Sequence, residues 1–350
     1  MSRLSVSIVM PNYNHDRFLE RSLGAVLGQH VPADEIILID DASTDGSRER
    51  IERLTAGRAN VQFLRNASRC GAVAALNKGL ELATGDLIAF PAADDQLFAG
   101  FIAATEPLLR AAPQAAFACT GAEIRDEHDR HVGFRPVLWP TVRPRYVAPA
   151  EARDLLARGD NFFLGAVTLY RRRALIEAGG FEAALGSLAD GMLQRRLAVR
   201  HGFCFEPQTL GVWRHHASNY SITSVTDPQY LREILEAARA CIVAEPAGVF
   251  PPGYGELFTR RLSFSAARLV LIGQLPPEEK AARAAVMLGL GPAAQKLVRR
   301  LCALGRPGAV AALTWLTLRQ RPFSLAWMGI EPFRRLAARA LPSGRPPTGL

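Results

Sequence analysis

The sequence is poor in paired cysteine. Its five cysteines in 350 residues, Cys70, Cys119, Cys204, Cys241 and Cys302, are odd in number, far apart and never in a C-x-x-C arrangement. They signal neither a disulfide framework nor a zinc site, and a reducing compartment, the cytoplasm, fits them. Long hydrophobic runs are missing too. Nothing approaches the ~18–20 uninterrupted apolar residues that span a bilayer; the longest candidate, "AVAALTWLTL" (309–318), falls far short. The opening "MSRLSVSIVMPNYN" holds one basic residue and an apolar run that stops at Pro11, too short for a secretory leader, and reads as a first strand. No glycine-rich turn follows that strand, so the fingerprint of dinucleotide-binding enzymes is absent. Acid is scarce in one place: residues 281–350 carry eleven Arg or Lys against Glu331 alone, so the tail accounts for the formal charge of +9. A basic, apolar tail fits an anionic membrane surface, and with no reading motif for nucleic acid in it, DNA and RNA are not expected partners.

What is present is a large core and a regular rhythm. With 49% hydrophobic and 21% charged residues the chain must fold around substantial buried surface. Strand patterns over 4–10, 35–40, 61–65, 86–90 and 115–121 alternate with helical patterns over 16–29, 44–56, 72–83 and 97–110. That alternation predicts an α/β fold with a Rossmann-like, mostly parallel sheet flanked by helices. A further strand is expected over 166–172 and a helix over 190–202, the rhythm being looser after residue 121. From Asp227, which can cap a helix with Pro228 at its first position, the remainder reads as helical, broken at "FPPGYG", "LPPEEK" and "GRPG". The expected division is a domain over 1–224, with a nucleotide-binding half to 121 and an acceptor half over 122–224, followed by a helical basic region over 225–350. Within the latter, 309–341 has the tryptophans and arginines of an interfacial segment.

Polar residues cluster after the strands. "PNYN" (11–14) follows the first, "DDASTDGS" (40–47) the second and "AADD" (92–95) the fourth. Loops at the carboxyl ends of parallel strands line the ligand crevice, so these segments should converge. Tyr13 offers a face on which a base can stack, Asp41 a carboxylate that can accept from a base N–H, and Asp94 with Asp95 a reason to expect a divalent cation, since bare acids repel phosphate.

The order of "SIVMPNYN", "IILIDDASTDGS", "LNKGLELATGDLIAFPAADD", "GGFE", "SLADGMLQRRL" and "WRHHASNYS" over roughly residues 4–222 resembles the family 2 inverting glycosyltransferases of the GT-A nucleotide-sugar fold. The resemblance implies that Pro11, Tyr13, Asp41 and Asp94 contact the nucleotide and that Asp94 and His216 hold Mn²⁺ or Mg²⁺ with Asp95 in support. It also implies that Asp190 is the general base of a single displacement with inversion. A nucleotide-diphosphate sugar, with UDP favoured, would be the donor, and a glycan or lipid-linked glycan at the inner face of the cell membrane the acceptor. Two positions depart from the pattern: Ala92 stands where an acid is usual in the acidic motif, and Ala189 where one usually precedes the base. They leave open a second reading, a non-catalytic nucleotide-sugar-binding or scaffold protein with a degraded metal site.

Overall fold

Every residue of β1 (Val6–Asn12) except Pro11 is buried, because this strand lies inside the sheet with both faces covered. In the computed structural model, which describes residues 2–322 apart from 137, 138, 161, 217 and 218, its side chains alternate between two cores. Val9 packs with Ile37, Ile39 and Ile88 on one face; Ile8 and Met10 pack with Ile36, Leu38 and Ala89 on the other. β2 (Glu35–Asp40) and β3 (Val61–Arg65) extend the sheet from one edge of β1, and β4 (Leu87–Ala89) pairs with the other, all in parallel. The crossovers are α1 (Asp16–Leu27), α2 (Ser47–Thr55) and α3 (Ala72–Leu82), as the sequence rhythm predicts.

Beyond β4 the sheet turns mixed. β5 (Gln96–Leu97), β6 (Phe117–Asp126), β7 (His131–Arg135), β8 (Arg145–Val147), β9 (Thr168–Arg171) and β10 (Phe203–His215) complete the order β3-β2-β1-β4-β9-β6-β10-β5, with β7 on β6 and β8 on β10. The strand expected over 166–172 is β9, which runs antiparallel between β4 and β6. The helix expected over 97–110 starts later, as α4 (Phe101–Ala111), because Gln96 and Leu97 pair with Val212 and Gly211. The strand expected over 115–121 continues to Asp126 along the parallel partner β10, a thirteen-residue strand whose C-terminal end brings its last residues to the edge where the β1, β2 and β4 loops lie.

The remaining helices are α5 (Pro149–Arg158), α6 (Arg172–Glu177), α7 (Ala189–His201), α8 (Tyr220–Thr226), α9 (Pro228–Val243), α10 (Tyr254–Ile272), α11 (Pro277–Leu288), α12 (Pro292–Cys302) and α13 (Gly305–Gln320). Asp227 caps α9 by accepting from the Tyr230 N–H at 2.7 Å, with Pro228 at the first position. Leu231, Tyr254, Phe258, Val298 and Leu316 belong to the same hydrophobic cluster as Val9 and Ile37. The C-terminal helices therefore share the core that lies under one face of the sheet. No helix among the described residues is long and apolar enough to cross a membrane. Of the basic tail, the structure describes 281–322; residues 323–350, including most of the expected interfacial segment, lie outside the described residues.

α3 sits hard against β1. A Cβ built at Gly79, in the middle of that helix, would fall 2.1 Å from Val9 Cγ1. Alanine there would gain about 1 kcal/mol of helix propensity yet push the helix off the strand that leads into Tyr13. Gly79→Ala is expected to lower unfolding free energy by about 1–3 kcal/mol despite that gain, and Val9→Ala placed behind it should recover part of the loss, both read by urea denaturation.

Candidate functional site

The loop after β1 is stitched to the loop after β2 by side chains. Asn12 Nδ2 donates to Asp40 Oδ1 at 2.8 Å and to Ser43 Oγ at 3.1 Å, and Ser43 Oγ accepts from the Asn14 N–H at 2.9 Å. Asn14, at φ 55°, accepts from the Thr44 N–H at 2.8 Å. The two acids of this loop have separate duties. Asp40 is fully buried and fastens the loops, whereas Asp41 reaches the other way, to the segment after β3. Asp41 Oδ1 accepts from Asn66 Nδ2 and the Cys70 N–H, both at 2.8 Å, and Oδ2 from the Gly71 N–H at 2.8 Å. Burial raises the Asp41 carboxyl, but these bonds outweigh it and hold the group below its ordinary range. Three of about four acceptor positions are filled, so Oδ2 keeps room for one more donor.

The segment 66–71 was not among the loops read from the sequence. It places the Arg69 guanidinium 4.2 Å above the Tyr13 ring, so the stacking face expected of Tyr13 is lined by a cation. Applying the strand-end rule to the third strand as well would have found it. Pro11 lies on β1 opposite Ile39, part-buried, one residue before the Asn12 stitch.

Asp94 and Asp95 sit in the turn after β4, both buried. His216 Nε2 lies 2.8 Å from Asp94 Oδ2, and His15 Nε2 lies 4.0 Å from the same oxygen. One ligand atom from each of His15, Asp94 and His216 falls within 4.8 Å of the others. His216 is buried, so it is not the surface histidine its sequence neighbourhood allows; His215 beside it is half-exposed and faces Trp213. His15 stands one residue beyond "PNYN", outside the motif, and its role shows only in its approach to Asp94. Asp95 points away from the histidines: its Oδ1 accepts from the Arg214 N–H at 2.8 Å, while Arg214 Nε donates to the Asp94 carbonyl at 3.1 Å. That exchange locks the end of β10 onto the turn and so brings His216 to Asp94.

The pair is divided electrostatically. Burial raises Asp94, but the His216 hydrogen bond and the two neighbouring imidazoles hold it below the ordinary value. Burial and the charge on Asp94 push Asp95 well above its own. Negative charge is therefore concentrated on Asp94. Burial also lowers His15, keeping the imidazole neutral, and its buried Nδ1 has no hydrogen-bond partner among the described residues. Two imidazoles and one carboxylate suit a divalent cation.

Asp190 stands in the first turn of α7 and accepts from the Gly191 N–H at 2.7 Å through Oδ1. Gly165 makes room for it, since a Cβ there would lie 2.3 Å from Asp190 Oδ2. Burial raises the Asp190 carboxyl above its ordinary value, with Arg135 and Arg195 opposing, and Asp190 in turn helps raise Asp95. The "GGF" at 179–181 is a turn: Gly179 and Gly180 have φ 85° and 74°, and Asn77 bonds the Phe181 N–H and carbonyl, each at 2.8 Å.

The protein model for Glycosyl transferase family 2 matches residues 7–179. An uncharacterized protein of Mycobacterium tuberculosis, MT1568, is 30% identical over 221 residues, which cover 61% of this chain and 68% of that one. Seven further curated relatives, all glycosyltransferases by name, match 26–27% of this chain and only 27–36% of their own length. One of these, from Escherichia coli, carries a name that specifies a diphosphoundecaprenol-linked acceptor. Among solved structures, Staphylococcus aureus TarS 1-349 with UDP-GlcNAc superposes with a TM-score of 0.62 at 15% identity, covering 91% of this chain and 92% of that chain. The mannosyltransferase PcManGT of Pyrobaculum calidifontis with GDP-Man and Mn²⁺ superposes at 0.54 and 18%, covering 98% and 88%. These likenesses place the fold in the GT-A class, as the sequence motifs imply. With its family motif running from β1 to the "GG" turn, the chain belongs to glycosyl transferase family 2, whose members transfer sugars.

Proposed function

We propose that the protein transfers a sugar from a nucleotide-diphosphate sugar, a UDP-sugar before others, to a hydroxyl of a cell-surface glycan precursor, with inversion at the anomeric carbon. The observation that carries this reading is the meeting of His15, Asp94 and His216, with Asp190 within electrostatic reach of the adjoining Asp95. Arg69 already covers one face of Tyr13, so the base would stack against this pair rather than between its members, and the free acceptor position on Asp41 Oδ2 takes its imide N–H. The pyrimidine edge fits that acceptor. TarS with UDP-GlcNAc and PcManGT with GDP-Man share the fold, so the fold alone does not choose the base.

His15, Asp94 and His216 would hold the cation, with His15 standing in for the acid missing at Ala92; the two imidazoles favour Mn²⁺ over Mg²⁺. Bound there, a divalent cation supplies positive charge that offsets the departing diphosphate. Asp190 takes the proton of the acceptor hydroxyl as its oxygen attacks the anomeric carbon. Its raised affinity for a proton suits that work. Asp95 holds no substrate and fixes the turn through Arg214. The scaffold reading rests on Ala92 and Ala189 and is separated by the Asp190 test below.

The acceptor is membrane-borne in this proposal. Leu297, Leu304, Val310 and Leu318 are exposed large apolar residues on α12, α13 and the turn between them. Lys296, Arg300, Arg306 and Arg319 are close to them in sequence, and no acid occurs from 280 to 322. Such a surface fits the anionic inner face of a cell membrane.

In calorimetric titrations with UDP, GDP and dTDP, UDP is expected to bind in Mn²⁺ and to weaken in EDTA. His15→Ala should reduce the metal-dependent affinity about tenfold or more, whereas metal-indifferent binding would argue for the scaffold. Asp190→Asn should lower transfer about 10²–10⁴-fold and leave nucleotide binding unchanged. Because the Asp190 carboxyl is raised, the working carboxylate is lost as pH falls through that raised value, so the acid limb of kcat should lie above the ~3.9 of an ordinary aspartate. In flotation, the protein should rise with phosphatidylglycerol-containing vesicles and not with phosphatidylcholine alone, and Arg300→Glu with Arg306→Glu should abolish the difference. Truncation is the wrong test, since α11–α13 share the core.

A further inference from the structure

Arg195 lies on α7, five residues beyond Asp190, in a helix whose sequence reads as an ordinary solvated one. The structure leaves its side chain only 14% exposed and ties up its guanidinium. Nε donates to Asp160 Oδ1 at 2.7 Å, Nη2 to the Asp160 carbonyl at 3.3 Å, and Nη1 to the Gly191 carbonyl at 2.7 Å. Asp160 stands just past α5 at φ 50°, a left-handed backbone that a non-glycine residue adopts only where its surroundings hold it. Its second oxygen accepts from the Tyr254 hydroxyl at 2.8 Å. Tyr254 opens α10 and is itself buried, with Phe250 stacked on its ring at 5.0 Å and Phe258 5.2 Å from the Arg195 guanidinium.

The bonds form one chain. Tyr254 fixes Asp160, Asp160 fixes Arg195, and Arg195 grips the carbonyl of Gly191, whose N–H holds Asp190 Oδ1. A buried ion pair by itself says little about stability, but this one ends on the residue that bonds the proposed base. The groups that face Asp190 are Arg135 from β7, Asp95 from the turn after β4, Tyr170 from β9 and Arg195 from its own helix. Arg195 has a bonded path to the carboxylate, through the Gly191 peptide.

We propose that Arg195 is a positioning residue for Asp190 and that Tyr254, through Asp160, completes the arrangement, so that α10 of the C-terminal region is part of the transfer site. The proposal rests on Asp190 being the base. It implies that helices beyond residue 250 set the orientation and proton affinity of a group at residue 190.

The test is a carbon-13 NMR titration of the full-length protein labelled at aspartate carboxyls, with the Asp190 resonance assigned as the one lost in Asp190→Asn. Arg195→Met should raise the Asp190 midpoint by about one unit or more, since an opposite charge nearby lowers a carboxyl by about 1–3 units. Tyr254→Phe, which removes one hydroxyl and leaves the ring in place, should move it in the same direction by less, and Arg195→Lys should recover part of the shift. With the nucleotide sugar that binds best and water as acceptor, Tyr254→Phe should lower kcat about tenfold, shift its acid limb upward and leave KM unchanged. An Asp190 midpoint unmoved in both Tyr254→Phe and Arg195→Met, with only melting temperature reduced, would overturn the proposal and leave the cluster a packing device. If Asp190→Asn keeps wild-type transfer, the base assignment falls instead, and the NMR midpoints still report whether Arg195 governs Asp190.

Discussion

Two carboxylates on consecutive residues, both taken out of water, determine what the surrounding elements have to do. Side by side, Asp94 and Asp95 repel each other, and burial disfavours the charge on each. The fold resolves the conflict by sending them to different partners. Asp94 faces imidazoles from the α1 entry and the end of β10; Asp95 faces the backbone of Arg214. The Arg214 side chain then closes the loop by bonding the Asp94 carbonyl and reaching Asp129 at 2.9 Å. Remove any one of these and the charge concentrated on Asp94 loses its definition.

The same economy of position recurs away from the turn. Asp40 and Asp41 are also consecutive acids, and they too diverge, one to the loop before it in the sequence and one to the loop after it. Asp160 accepts from an arginine on α7 and a tyrosine on α10. In each case a carboxylate joins segments distant in sequence, which lets loops without regular structure hold fixed positions. The apolar counterpart is the single cluster running from Val9 to Leu316, which leaves the C-terminal helices no core of their own.

Legibility in the sequence followed burial symmetry. The parallel half was readable because β1 and β2 are apolar on both faces and are separated by amphipathic helices with one wet side. β10 was not, because Pro207, Gln208 and Gly211 interrupt its alternation; the strand tolerates them through register shifts against β6 at Glu206–Thr209 and Thr209–Val212. α7 hid its arginine for the opposite reason. It is buried on more than one side, so Gln194 is interior and Arg195 mostly covered at positions that no apolar stripe marks. Tyr13, Asp41, Asp94, Asp190 and His216 all lie in sequence motifs; the structure brings His216 to Asp94 and sets Asp190 within electrostatic reach of Asp95, while Tyr13 and Asp41 lie in the loops after β1 and β2. His15 and Arg69 belong to no quoted motif, and their placement depends on three-dimensional contacts with Asp94 and Tyr13.

β9 is four residues long and joins the β3-β2-β1-β4 half of the sheet to the β6-β10 half. A ribosome delivers β4 about 80 residues before β9, which at about 5–20 residues per second is a wait of several seconds or more. Through that interval the nascent first half carries an open strand edge, a template for any other unpaired strand. The residues bordering β4 answer the hazard: Asp86 stands just before it and Pro91 just after Phe90, the residue types that discourage edge pairing. Yield of soluble protein should therefore respond to translation speed across residues 90–171 more than to the stability of the finished fold.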